Sequence, residues 1–393
     1  MIGLCLKYEQ TNYGSKLQAL ATINVVEQLG YNFQIIHYAK GGFWFKIKSL
    51  SRVLNSTFRQ DKIEDFSRRR AIKRHPVVAQ SIQERKRMFK EFDAIFFDKY
   101  EIRGKYYKDI KRIATTYDSV VSCSDQLWSP AGLGTNFYNL MFVPDHINKV
   151  SFASSFGVSQ IPWYQKKATA NYLNRIEHVS CRENRGAEIV KELTGRDVPV
   201  LMDPVFAFDI DEWLDIVPKE IIYDEPYVFC YFLGNNSKHR ILATEFARKK
   251  GLKIVCMRHL DQYVAQDESF GDIAPYDASP LQFLNILRGA NYVVTDSFHG
   301  CAFSIIMKKE FVVLYRYASN SVSSKNSRID SVCANLGLSD RIANEDSVLE
   351  DFFKKEIDWS SVVEKQTLYR VKMWNYLKSA LSINEENENT IGK

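Results

Sequence analysis

A chain of 393 residues, 45% of them hydrophobic, can bury a large core, and its length favours two domains over one. No apolar run approaches the roughly 18 residues that cross a bilayer, and the opening MIGLCLKYEQ is too short and too polar for a secretion signal. The net charge of +6 is mild, and the seven cysteines show neither a CxxC pair nor ligand spacing, which predicts a reduced, cytoplasmic protein with no structural metal.

In chain order, IGLCL reads as a strand, EQTNYGS as a loop, and LQALATINVVEQLG as a helix closed by Gly30. FQIIHYA is a second strand. A basic stretch with helical character follows: from Lys46 to Lys90 there are 14 cations against 4 acids, a net +10, which leaves the rest of the chain at −4. YDSVVSC, KVSFASSFG, HVSC and VPVLMDPVF supply further strands and loops, with AEIVKELTG a helix between the last two. The cycle then restarts with PYVFCYFLG, HRILATEFARKKG, LKIVCMR, SPLQFLNILRGA, NYVVTD, CAFSIIMKK and EFVVLYR. Strand–helix alternation of this kind predicts α/β architecture with open parallel sheets covered on both faces. The expected division is 1–205 and 206–360, with the hinge between 206 and 224, a helical insertion at 43–92 and a last helix at 361–382 crossing back. A polar tail at 383–393 has too little apolar content to pack.

In such sheets ligands bind beyond the carboxyl ends of the strands, and several motifs stand there. In DSFHG (296–300), Asp296 or Ser297 can cap the next helix, whose free amides then form an anion site beside His299 and Gly300. His299 can carry a charge or move a proton; the plainer alternative is a capped turn with a packed histidine. SCREN (180–184) offers Arg182 to a carboxylate or phosphate, or pairs it with an acid such as Glu183. SDQLWSP places Asp125, Gln126 and Trp128 at another strand end, where an indole suits a sugar face or the core. Asn12, Tyr13 and Gly14 precede a helix, and Lys325 and Arg328 lie near another helix start. Together these loops suit a small, doubly charged anion plus a polyol. GxGxxG, P-loop, HExxH and GxSxG patterns are all absent, so no dinucleotide, ATP or metal is expected.

Taken in order, NYGSKLQAL, SDQLWSP, FASSFG, SCREN, the MDPVF loop and TDSFHGCAFSIIMKKEFVVL resemble the polysaccharide pyruvyl transferase family, over residues 3 to about 340. The resemblance implies a GT-B-like pair of Rossmann-like domains with the active site in the cleft between them. It implies phosphoenolpyruvate as donor, sugar hydroxyls as acceptor, and a pyruvate ketal on a surface polysaccharide as product. The family's SFHG histidine falls on His299 and its CREN arginine on Arg182, and Ser155 lies in the matching FASSFG loop. Ser297 stands where some members carry Arg, so Arg328 or Lys325 is expected to supply that charge; Cys123 stands where many have Gly. Asp125 is expected to orient the acceptor or take its proton, with no cofactor required. The aromatic and basic mixture GGFWFKIKSLSRVL suits peripheral contact with an anionic membrane through 43–90 beside a lipid-linked acceptor, or simply packs on its own domain. No nucleic-acid motif accompanies that charge. The competing readings are a GT-B glycosyltransferase using a nucleotide sugar and a non-catalytic saccharide-binding protein.

Overall fold

The computed structural model of the chain describes residues 1–40, 59, 63, 66, 69, 70, 73–258, 260, 263–317 and 326–382. Of the expected helical insertion at 43–92, positions 43–58 and most of 60–72 lie outside the described residues, as do Lys325 and the 383–393 tail. The first part of the chain contains β1 (Ile2–Leu6), α1 (Tyr13–Gln28), β2 (Phe33–Tyr38), α2 (Pro76–Phe96), β3 (Glu101–Gly104), α3 (Tyr107–Ala114), β4 (Ser119–Cys123), β5 (Asn148–Phe152), α4 (Lys166–Arg175) and α5 (Asn184–Thr194). After α6 (Ile210–Ile216) come β6 (Tyr227–Tyr231), α7 (Ser237–Lys250), β7 (Lys253–Cys256), α8 (Pro280–Gly289), β8 (Tyr292–Thr295), α9 (Phe298–Ile306) and β9 (Glu310–Leu314). The chain closes with α10 (Ser327–Leu336), β10 (Ile342–Ala343), α11 (Leu349–Phe352) and α12 (Trp359–Leu381).

Both sheets are parallel, in the orders β3-β2-β1-β4-β5 and β10-β9-β8-β6-β7. Their central strands are buried along their whole length, IGLCL and SVVSC in one and YVFCY in the other, because helices cover both faces. β3, α3, α6, β10 and α11 escape the sequence reading: β3 is only four residues, two of them charged. Conversely, HVSC and VPVLM, read as strands, form only single bridges, Val150 with His178, Ser154 with Cys181 and Cys181 with Val200. Pro199 has no amide with which to extend that ladder, and the chain turns into α5 immediately after Glu183.

In each sheet the strand order reverses at one point, between β1 and β4 in the first and between β6 and β8 in the second. Loops leaving the carboxyl ends on either side of a reversal diverge and open a crevice. The two crevices face each other. α1, buried along most of its length, packs against α8, α9 and the Pro204–Ala207 turn, and one continuous apolar core joins the inner faces of both sheets. Tyr13 stacks on Phe283 with ring centroids 4.5 Å apart and donates to the Ala278 carbonyl at 2.9 Å. α12 runs back across this joint: Trp374 donates to the Ala207 carbonyl, Tyr376 to the Ser151 carbonyl, and Asn148 to the Ala380 carbonyl.

Candidate active site

On the first sheet, β1 ends at Lys7 and α1 begins with Asn12 as its cap, the side chain accepting from the Ser15 amide at 3.1 Å. β4 ends in Ser124 and Asp125, whose φ angles of 44° and 56° put two consecutive non-glycine residues in the left-handed region. That conformation is disfavoured for side-chain-bearing residues and needs surrounding structure to hold it. The hold is visible: Asp125 accepts from Ser15 Oγ at 3.0 Å and from the Gln126 amide at 2.7 Å, and lies 3.5 Å from Lys7 Nζ. Burial raises the acid's pKa, but Lys7, Arg182 and His299 outweigh it, so Asp125 stays well below the usual carboxylate range.

On the second sheet, Ser297 caps α9, accepting from the Gly300 amide at 3.3 Å, and directs the free amides of that helix at the cleft. Gly300 packs where a Cβ would come within 2.4 Å of Thr295 Oγ1, so only glycine allows the helix to start this close to β8. His299 faces Gly14 of α1 so closely that a Cβ there would meet Nδ1 at 2.0 Å. Arg316 follows β9 and Arg328 lies in the first turn of α10; the hydrogen-bonding pattern turns the Gln126 amide oxygen to Arg328, accepting from Nη1 and Nη2 at 3.3 and 2.8 Å.

These groups line one cleft of about 540 Å³ with Lys7, Gln10, Asn12, Ser15, Asp125 and Gln126 on one side and Leu233, Ser297, Phe298, His299, Arg316 and Arg328 on the other. Its walls carry three permanent cations, Lys7, Arg316 and Arg328, against one carboxylate, Asp125. Burial, with Arg182 nearby, pulls the Arg328 guanidinium down to about 10, which leaves it charged at neutral pH.

Arg182 stands behind this wall. Its Nη1 pairs with Asp203 Oδ2 and lies 3.3 Å from Ser124 Oγ, and its guanidinium sits 4.9 Å from the Phe298 ring centre. Asp203 is the acid of the MDPVF loop, and His299 Nε2 is 3.6 Å from the same oxygen. A guanidinium and an imidazole borne by opposite sheets therefore meet on one buried carboxylate. Burial raises the Asp203 pKa, but His299 and Arg182 more than offset it, holding the acid well below its ordinary range. The partner of Arg182 is thus Asp203; Glu183 instead accepts from Ser155 Oγ at 2.9 Å and from the Phe156 amide.

The remaining candidates sit elsewhere. Trp128 does not offer a face to the cleft: it is 4% exposed, packed against Phe156 and Tyr172, with its indole nitrogen on the Tyr138 carbonyl, so the core reading holds for it. Tyr13 faces the joint between the sheets, and Ser155 is buried, bracing Glu183 and the Gly157 amide. Lys325 lies outside the described residues, and the cation question falls to Arg316 and Arg328. Sequence reasoning missed Asp203, Lys7, Ser15 and Arg316. The signal was present for two of them: Asp203 in a quoted motif, and Arg316 as a lone cation just past a strand end. Among the described residues no group of three His, Cys, Asp or Glu side chains is placed to hold a metal ion.

Gly14→Ala should push His299 out of place and cut turnover at least tenfold, with little change in the far-ultraviolet circular dichroism spectrum. The buried Asp203 predicts an acid limb to stability. Its folded pKa is depressed, so it contributes stability above its unfolded value, about 3.9, and that contribution is lost as pH falls toward the folded value. Asp203→Asn should lose about 3–5 kcal/mol near neutrality, and its melting temperature should fall less than the parent's on acidification below about pH 5. Thermal melts across that range check both.

The family model for polysaccharide pyruvyl transferase matches residues 12–317. No curated protein matches the chain. Among solved structures, UDP-GlcNAc 2-epimerase of Methanocaldococcus jannaschii, in complex with UDP-GlcNAc and UDP, is similar at 10% identity and a TM-score of 0.50, over 95% of this chain and 99% of that one. Arabidopsis thaliana UGT89C1 is similar at 10% identity and a TM-score of 0.50, over 97% and 99%. These likenesses show the GT-B fold, two Rossmann-like halves around a cleft. With six motifs in order along the two sheets and the family match spanning most of both, the chain belongs to the polysaccharide pyruvyl transferase family.

Proposed function

We propose that the protein transfers the pyruvyl group of phosphoenolpyruvate onto sugar hydroxyls and closes a pyruvate ketal. The observation that carries this reading is the charge of the cleft wall: Lys7, Arg316 and Arg328 against Asp125, beside the start of α9, in a cleft of about 540 Å³. A three-carbon acid bearing a carboxylate and a phosphate complements that surplus, and each group suits charge-assisted bonds from guanidinium and helix amides.

The reaction is a balanced addition and substitution. A proton adds to C3 of the enol phosphate and C2 becomes oxocarbenium-like. A sugar hydroxyl bonds to C2 and gives up its proton, and the C2–O bond to phosphate breaks. The freed phosphate takes a proton and departs; the second hydroxyl then bonds to C2 and loses its proton, closing the ketal, so the two hydroxyl protons balance those gained by C3 and by phosphate. His299, lining the cleft and facing the buried Asp203 carboxylate, is assigned to bind the phosphate and protonate it as it leaves. Asp125 is a weak base because its neighbours hold it ionised. Its assigned work is to accept a hydrogen bond from the acceptor hydroxyl and to stabilise positive charge developing at C2. Arg182, one layer back, keeps Asp203 charged and oriented.

The family implies a saccharide acceptor. We further assign a lipid-linked surface-polysaccharide precursor, met at the inner face of the plasma membrane. The support is the aromatic and basic character of the sequence at 43–54. No helix of the described residues is long and apolar enough to cross a membrane.

His299→Ala should lower acceptor-dependent phosphate release from phosphoenolpyruvate by about 10²–10⁴ while the protein still melts cooperatively; near-parental turnover removes the assignment. Phosphoenolpyruvate should raise the melting temperature. Stabilisation by nucleotide sugars alone points instead to a glycosyltransferase. In flotation, the chain should rise with vesicles containing anionic lipid at low salt and stay down with neutral ones; absence of binding in both ends the membrane proposal.

A further inference from the structure

Arg316 is held differently from the other two guanidinium groups at the site. Arg182 pairs with the buried Asp203, and Arg328 is fixed to Gln126 between two lobes. Arg316 instead lies along the carboxyl end of β8. Its Nη2 donates to the Asp296 carbonyl at 3.2 Å, and its Nε lies 3.8 Å from Asp296 Oδ1, beyond hydrogen-bond length. That Nε is buried and has no hydrogen-bond partner among the described residues, as is also true of Arg328 Nε and of Arg182 Nε and Nη2; what sets Arg316 apart is that, among those residues, it has neither a carboxylate at hydrogen-bond length nor a side-chain amide.

Asp296 is itself clamped. It accepts from the Leu233 amide at 2.6 Å and the Gly234 amide at 2.9 Å, and His239 Nδ1 stands 3.5 Å from Oδ2. A Cβ on Gly234 would come within 2.8 Å of that oxygen and 2.9 Å of Arg316 Cγ, so the residue that lets the two pack is glycine of necessity. Burial works against the charge on Asp296, and Arg316, His239 and the Leu233 amide more than offset it. The loops after β6 and β8, the pair flanking the crevice of the second sheet, thus converge to present one guanidinium at the start of α9, next to Ser297 and His299.

We propose that Arg316 is the cation that receives the phosphate group of the donor, supplying from the end of β9 the charge that Ser297 lacks, with Asp296 as its positioning residue and Arg328 left to the carboxylate end. The proposal rests on phosphoenolpyruvate as donor but assigns its two charged groups to different arginines. Phosphate is the group suited to the α9 end, since free amides, a guanidinium and His299 all point there and phosphate offers three acceptor oxygens. Arg328 is carried by α10 but tied to Gln126 next to Asp125, so its guanidinium reaches across to the first-sheet loop, the side assigned to the acceptor.

The test separates the two ends with the two halves of the donor as competitors. Inorganic phosphate and pyruvate are titrated against the parent, Arg316→Met, Arg316→Lys and Arg328→Met, and phosphoenolpyruvate is titrated against the same set. Arg316→Met should weaken phosphate and phosphoenolpyruvate binding by about 10- to 100-fold and leave pyruvate binding within about twofold, with Arg316→Lys recovering part of the loss. Arg328→Met should show the opposite selectivity. Equal phosphate binding by parent and Arg316→Met overturns the proposal, as does an equal loss of pyruvate and phosphate. If the parent binds phosphate through Arg316 but not phosphoenolpyruvate, the anion site stands and the donor reading falls; if the parent binds neither, both fall.

Discussion

One buried carboxylate joins the two halves of the site. Asp203, in the segment that leads from the first sheet toward the second, holds the Arg182 guanidinium on one side and faces the His299 imidazole at 3.6 Å on the other. A charge buried this deeply persists only when partners compensate it, and removing one partner leaves the others exposed to the low dielectric of the interior. The arrangement therefore fixes the relation of α9 to the first sheet, and with it the position of His299 over the cleft. Gly14 contributes the other contact that sets this position, since any larger residue in α1 would occupy the space of the imidazole.

The topology explains why a cleft exists there to be lined. Both parallel sheets reverse their strand order once, and the loops at the two reversals carry nearly every polar group of the site. Lys7, Asn12 and Asp125 come from the reversal in the first sheet and Ser297 and His299 from that in the second, while Arg316 follows β9 and is held by Asp296 at the second reversal. The shared apolar core under them, with Tyr13 stacked on Phe283 and Arg85 of α2 donating to the Pro275 and Tyr276 carbonyls, keeps the halves in register. The strain at Ser124 and Asp125 lies in the loop that carries a carboxylate of the cleft wall, where Ser15 and Lys7 hold it in place.

Much of this was legible before any coordinates. Strand–helix alternation was enough for two parallel sheets, and loops at strand ends were enough to single out His299, Asp125, Gln126 and Arg328, because chemistry in this fold class is confined to that edge. What the sequence hid was the third dimension. Asp203 reads as an ordinary Asp-Pro turn until the fold carries it under both Arg182 and His299. Trp128 lies two residues past Gln126, yet the turn that exposes Gln126 drives the indole into the core against Phe156 and Tyr172. Arg316 shows in the sequence only as a lone cation past a strand end; the clamp on Asp296, made by amides more than sixty residues away in sequence, reveals what holds it.

The central claim is that this cleft, at the meeting of two strand-order reversals, is the seat of phosphoenolpyruvate. A crystal structure of the protein soaked with phosphoenolpyruvate tests it most directly. The account predicts density for the whole molecule between Arg316 and Arg328, its phosphorus within hydrogen-bonding reach of the first amides of α9 and of His299. Density for the donor at any other place, with the cleft occupied by water alone, contradicts it.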